Sequence, residues 1–349
     1  MLFREAIIMN QSYINHLIIS FLQLKGWGNQ SVKKFFNETR VYNSVSELTL
    51  AEIKDLPDKI SDKKLCNLIS KIENEHWNEA RKKASEIIKS SKRNDIEILN
   101  FLSPGYPLNL KMINDSPAII YVKGNSELLD SNLYSSLATI GTRKPLKNVE
   151  KITDRLIEIL VENNFITVSG LAIGTDSICH LSTLNNDGKT IAVLSNGLDT
   201  VYPKRNQKLA NEILEKGGTL ISTNPIGTKV TPANLVERDK WQAGLSDGVI
   251  AMQTSSNGGT THAMNASLEY KRPLAVLGLN APINSNKYPQ ISGNIKYIKQ
   301  KKALSLVNQE SIDKFIKFVK DNKKKRNNEY EKRLKSQNHD SFKQIGLFE

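Results

Sequence analysis

Six apolar runs of three to five residues recur from residue 137 to residue 277: Leu137–Ile140, Phe165–Val168, Thr190–Leu194, Thr219–Ile221, Val249–Met252 and Leu274–Leu277. None alternates with polar residues, which suits strands buried on both faces. Between them the apolar residues fall at helical spacing. The stretch from about Val149 to Val161 places Ile152, Leu156, Ile157 and Leu160 on one side of a helix. Strand–helix alternation sustained over this length predicts an α/β fold: an extended Rossmann-like, doubly wound, mostly parallel sheet. Residues 1–98 show no such alternation and read as short helices, a small all-α domain. Within it, LQLKGWGNQSVKKFF (Leu22 to Phe36) has an apolar helix end, a Gly26-Trp27-Gly28 hairpin, and a second helix with Val32, Phe35 and Phe36 on one face. That pattern fits a helix-hairpin-helix (SAM-like) unit whose backbone amides can hold a DNA phosphate. It fits a plain helical turn equally. The turn cluster SPGYP (Ser103 to Pro107) marks the start of the α/β domain, assigned to residues 99–320. Past about Ala303 the apolar pattern thins. Ser311 to Lys320 reads as one more helix, and Lys323-Lys324-Lys325-Arg326 opens a basic, flexible tail over residues 321–349.

Composition narrows the partners. The chain has 349 residues, 39% of them hydrophobic, enough for a core of ordinary size, and a formal net charge of +13. A surplus of this size points to a polyanion, nucleic acid or an anionic membrane surface. No stretch is apolar enough to span a bilayer, and the first residues lack the pattern of a secretory leader. Cys66 and Cys179 are the only cysteines and lie far apart, so a disulfide framework is not expected and the reducing cytoplasm is. The five histidines are scattered, and neither a metal nor a cofactor is expected.

Three loops that leave predicted strands carry small polar residues: IGTRKP (Ile140 to Pro145), SGLAIGTD (Ser169 to Asp176) and SSNGGTTH (Ser255 to His262). Ligands of open parallel sheets bind outside the carboxyl ends of the strands. Each loop precedes a predicted helix and so offers free N–H groups and the positive end of a dipole. Glycine lets a backbone approach an anion, and Ser and Thr add hydroxyl donors. Taken singly, each loop is also a tight strand-to-helix turn with Asp176 or Thr260 as N-cap. Three at one sheet edge, with Arg143 and Lys144 on the first, favour an anion site. No Walker loop and no G-x-G-x-x-G fingerprint occurs.

These residues resemble the DNA-processing protein A (DprA/Smf) family over about Pro104 to Ala303. YPLNLKMINDSPAIIYVKG is similar to the family's opening segment, IGTRKP to its G-[ST]-R loop, and SGLAIGTDSICH to its S-G-x-A-x-G-x-D-x-x-x-H motif. KTIAVLSNGLDTVYPKRN, ending in Asn206, is similar to the segment that follows, and ERDKWQAGLSD stands at the R-N-R-x-x-x-G-L-S run. The resemblance implies an extended Rossmann fold behind a helical domain, single-stranded DNA binding without catalysis, a homodimer, and help to a RecA-type recombinase in DNA uptake, repair or protection. It implies DNA-contacting roles for Gly141, Thr142, Arg143, Lys144, Ser169, Gly170, Gly174, Thr175, Asn206, Arg238, Lys240, Gly258, Gly259, Thr260 and Thr261. Four departures stand out. The S-E-x-P run reads Ser222-Thr223-Asn224-Pro225, an acidic position is Gln253, the S-G-S turn is Gly258-Gly259-Thr260, and the R-N-R run is Arg238-Asp239-Lys240. The terminal Gln344-Ile345-Gly346-Leu347-Phe348 resembles the Q-x-x-L-F peptide that docks on the replication sliding clamp, or is an arbitrary terminus. As an alternative function, the NGGTTHA loop resembles that of LOG-type nucleotide hydrolases, with Asp199 or Glu269 as the carboxylate to recruit. Asp176 and His180, one helical turn apart near Ser169 and Ser177, could form a Ser-His-Asp set, or an N-cap with a histidine packed behind it.

Overall fold

The computed structural model describes residues 2–41, 48–57, 60–278 and 289–344. The amino-terminal region holds five helices: α1 (Leu2–Gln23), α2 (Asn29–Thr39), α3 (Leu50–Lys54), α4 (Lys63–Ser70) and α5 (Asn74–Arg93). Two run longer than the short helices expected, because α1 and α5 pack along each other and bury Ile14, Ile18 and Phe21 of one and Trp77, Ala80 and Ala84 of the other. A capping box from Thr49 and Glu52 starts α3, and the Asp62 carboxylate accepts from the first amides of α4. The glycine hairpin forms as the sequence suggested. Gly26 turns it at φ +85°, a conformation open to glycine, while Trp27 stacks on Phe21 with ring centres 4.3 Å apart. Val32, Phe35 and Phe36 are fully buried.

The α/β part follows in the order β1 (Ile96–Asn100), α6 (Leu108–Lys111), β2 (Ile119–Gly124), β3 (Ser135–Ile140), α7 (Val149–Glu162), β4 (Phe165–Ser169), α8 (Thr175–Asn185) and β5 (Thr190–Leu194). It continues through α9 (Gln207–Glu215), β6 (Thr219–Ser222), α10 (Pro232–Leu245), β7 (Gly248–Ala251), α11 (Thr260–Glu269), β8 (Leu274–Leu277), α12 (Ser292–Lys299), β9 (Leu304–Leu306) and α13 (Gln309–Gln344). The six expected strands are β3 to β8. Strands β1, β2 and β9 were not anticipated: β1 and β2 pair antiparallel, and β9 is only three residues long.

The chain forms two compact units, each from two stretches of sequence: Met1–Leu133 with Lys189–Arg238, and Tyr134–Gly188 with Asp239–Glu349. In the first, the strands run β1-β2-β6-β5, with β2 antiparallel to β6 and β5 parallel to it. In the second they run β4-β3-β7-β8-β9, all parallel. This second order places the first strand of the unit, β3, between β4 on one side and β7 on the other. The direction of strand progression therefore reverses at β3, and loops leaving β3 and β7 emerge side by side.

Leu137, Leu156, Ile157, Leu160, Phe165, Ile250, Phe315 and Val319 share one core in the second unit. The buried stripe of α7 is Val149, Thr153, Leu156, Ile157 and Leu160. Ile152, expected on that face, is 48% exposed, since the stripe follows the spacing from Val149 and Thr153 rather than from Ile152. Where a flexible tail was expected from residue 321, α13 continues to Gln344. Phe315, Ile316 and Val319 anchor it by burial, and Lys323 and Arg326 continue the same side of the helix as half-buried cations. Both reach the fully buried carboxylate of Asp247: Arg326 at 2.5 Å and Lys323 at 3.5 Å. The Ser136 amide also donates to that carboxylate at 3.0 Å, and Lys323 donates to the Tyr134 carbonyl at 2.6 Å. Burial lowers the Arg326 guanidinium from its usual range and pushes Arg272, beside the same group, down to about 9. Two members of the basic run, Lys323 and Arg326, are thus half-buried and paired with a buried carboxylate, while Lys324 and Lys325 face solvent. Residues Ile345–Phe348 of the expected clamp-docking peptide lie outside the described residues. No described helix is long and apolar enough to cross a membrane.

Candidate nucleic-acid interface

The three loops come from β3, β4 and β7 and all belong to the second unit. The first is held from both sides. Met252 donates to the Ile140 carbonyl and Thr142 to the Gln253 carbonyl, each at 2.8 Å, so the β3–β7 pairing outlasts the strands by two residues. The Gln253 side chain then reaches farther along and accepts from the Leu146 amide at 3.0 Å. On the other flank, the Thr142 carbonyl accepts from the amide of Thr175 at 3.1 Å and from its hydroxyl at 2.9 Å. Within the loop, the Thr142 hydroxyl accepts from the Lys144 amide at 3.2 Å. Arg143 and Lys144 are left exposed on a backbone fixed at each end.

The second loop supports the first more than it faces solvent. Ser169, Gly170, Thr175 and Asp176 are buried, while Ala172, Ile173 and Gly174 are half-buried. The Ser169 hydroxyl donates to the Thr139 carbonyl at 2.7 Å, and the Asp176 carboxylate accepts from the amides of Gly170 and Ala172 at 3.2 and 3.3 Å. Two motif glycines, Gly174 here and Gly141 of the first loop, meet protein. A Cβ on Gly174, at φ +81°, would stand 2.5 Å from the Arg143 carbonyl oxygen, and one on Gly141 would stand 2.6 Å from the Thr175 side chain. These glycines let two loops touch. Asp176 is not an N-cap: Gly174 holds that position, and the carboxylate ties back the loop ahead of the helix. The Ser177 hydroxyl donates to the Ala172 carbonyl at 2.6 Å, so both serines near His180 are bonded to backbone rather than arranged as nucleophiles.

The third loop is braced by the start of α12. Thr254 accepts from the Gly293 amide at 2.9 Å and donates its own amide to Asn294 Oδ1 at 2.9 Å, and the Ser256 amide donates to the Ser292 hydroxyl at 2.9 Å. Gly258 is half-buried and its carbonyl accepts from the Thr261 hydroxyl at 2.6 Å. Asn257 and Gly259 are exposed, and Gly259, not Thr260, is the N-cap of α11. Beside Gly259 lies a carboxylate: a Cβ there would stand 3.9 Å from Asp239 Oδ2. Asp239 thus sets a negative charge against the loop expected to receive an anion. On α10, Arg238 is buried and Lys240 half-buried.

In the first unit, the carboxyl ends of β5 and β6 are laced together. The Ser222 hydroxyl donates to the Asn196 carbonyl at 2.8 Å, and the side chain of Asn224, next to the Thr223 that stands at the expected acidic position, donates to the Ser195 carbonyl at 3.1 Å. Asn206 is buried. Its neighbours Tyr202, Lys204 and Arg205 are exposed, and no role was assigned to them from the sequence. Of the carboxylates considered for nucleotide hydrolysis, Asp199 accepts from the Gly227 amide at 2.9 Å, and Glu269 closes α11 at the end away from its glycine loop. Among the described residues no group of His, Cys, Asp and Glu could hold a metal.

The family model of DNA recombination-mediator protein A matches residues 97–319, which take in β1 through β9 and all three loops. The chain belongs to that family. It is 30% identical over 219 residues to the DNA processing protein DprA of Bacillus subtilis, covering 62% of this chain and 71% of its relative. The matched segments span only 42% and 47% of the Smf proteins of Synechocystis and Escherichia coli. Among solved structures, DNA processing protein A of Streptococcus pneumoniae aligns over 85% of this chain and 96% of its own, with TM-score 0.68 and 26% identity. The Helicobacter pylori DNA processing protein A, solved for its single-stranded DNA binding mode, aligns over 64% of this chain and 95% of its own, with TM-score 0.55 and 26% identity. In this family member Gln253 and Thr223 stand at the two positions where the sequence led us to expect acidic residues.

Proposed function

We propose that this protein binds the sugar-phosphate backbone of single-stranded DNA along the carboxyl edge of the second unit, without catalysis, and assists recombination or DNA uptake in the cytoplasm. The observation that carries the reading is the loop of Arg143 and Lys144: two exposed cations on a backbone pinned by Gln253 on one side and Thr175 on the other. A pre-set pair of cations meets a polyanion with little ordering cost. The single-strand binding mode of the H. pylori relative supports the choice of an unpaired strand. On this reading Gly141, Ser169, Gly170, Gly174 and Thr175 shape the seat from behind, and Arg143, Lys144 and the Asn257–Thr260 stretch, exposed at Asn257 and Gly259, touch the ligand. A homodimer and a RecA-type recombinase are the partners that family membership suggests.

Arg143→Ala is the direct test. In an oligonucleotide shift assay it should weaken single-strand affinity by about tenfold, the scale of one charge-assisted hydrogen bond, and reduce the salt slope by about 0.7. Native affinity and slope in the variant would remove the assignment.

A further inference from the structure

One residue holds both ends of the cation-bearing loop. The Gln253 carbonyl accepts from Thr142 at 2.8 Å, and its side-chain oxygen accepts from Leu146 at 3.0 Å. The five residues from Thr142 to Leu146, with Arg143 and Lys144 between, therefore close on a single position at the end of β7. The side chain takes over where the strand pairing stops. Gln253 is itself only 5% exposed, so it touches no ligand, and its hold on the loop is shielded from competing water. The opposite flank is also fixed, since Gly174 packs on the Arg143 backbone and Thr175 bonds to Thr142. Of these contacts, the Gln253 side chain alone restrains the far end of the loop, beyond Lys144.

We propose that Gln253 is a positioning residue for nucleic-acid binding: its side-chain oxygen sets the place of Arg143 and Lys144, and affinity for a phosphate chain depends on it through those two cations. This rests on the reading of the loop as a DNA contact. Without the strap, the loop must be ordered at the moment of binding, and part of the affinity is lost to that ordering.

The test is a double-mutant cycle on the full chain with a fluorescent single-stranded oligonucleotide. Gln253→Met keeps the length of the side chain and removes the acceptor. It should weaken binding about fivefold, the worth of one ordinary hydrogen bond, with the melting temperature close to native. In an Arg143→Ala/Lys144→Ala background the same change should cost less than about twofold, because its effect runs through cations already gone. An equal loss in both backgrounds means that Gln253 acts on the fold in general, and no loss in either means that it does not act at all. Each overturns the proposal. If instead Arg143→Ala/Lys144→Ala alone binds as the native protein does, the DNA reading of the loop falls first and this inference falls with it.

Discussion

Asp239 is the residue whose charge opposes the proposed ligand most directly. Its carboxylate stands beside Gly259, an exposed turn at the amino end of α11, and its other oxygen accepts from Gln242 at 3.0 Å. Asparagine keeps an oxygen for Gln242 and removes the negative charge. Asp239→Asn should therefore tighten single-strand binding by about fivefold at low salt, a Coulomb effect of one charge at short range through a wet medium. The gain should shrink as salt is added. Equal affinities of variant and native protein at low salt would place the strand away from the third loop. The place of Arg143 and Lys144 on an exposed strand-end loop was legible in the sequence. The roles of Ser169 and Thr175 were not, because a sequence displays donors and hides the carbonyls that take them. Gly174 carries the same lesson: its glycine looks like room for a phosphate, yet the close neighbour is the backbone of Arg143.

At the level of elements, β3 to β8 were readable and the second half of the last helix was not. Runs such as Thr190–Leu194 and Leu274–Leu277 end where their apolar residues end, because burial on both faces leaves no polar position to blur the boundary. In α13 the helical stripe changes chemistry part-way, from Phe315, Ile316 and Val319 to Lys323 and Arg326, so hydrophobic periodicity alone lost it. The partner of the charged half, Asp247, lies far off in sequence at the start of β7. Removing one member of a buried ion set leaves the others uncompensated. Asp247→Asn should thus destabilise the second unit by about 3–5 kcal/mol, read as a lower urea midpoint with early hydrogen exchange across Phe315–Arg326. A loss below about 1 kcal/mol would show that water, not the carboxylate, compensates the cations. Affinity for single strands, measured below the transition, should remain near native, since this cluster sits at the amino ends of the strands and the loops at the carboxyl ends.

On the scale of the molecule, the parallel architecture followed from strand–helix alternation, while the division into two units did not. The chain leaves the second unit after Gly188 and returns at Asp239, a path that local patterning cannot encode. The formal charge of +13 was legible from the start, and it bears on specificity through salt. A single strand that displaces counterions loses about 0.7 in log affinity per neutralised phosphate for each decade of salt. Arg143 and Lys144 alone would set a slope near 1.4 by that rule, and a contact from Lys240 would steepen it. A mononucleotide can neutralise few cations, so its binding should be weak and its slope shallow. Titrating single-stranded DNA, duplex and a mononucleotide at two ionic strengths separates the cases. The proposed function requires the single strand to bind most tightly and with the steepest slope. A mononucleotide that saturates the protein tightly and with little salt dependence would mean that the loops enclose a small ligand, with the surplus charge of the chain left to serve another contact.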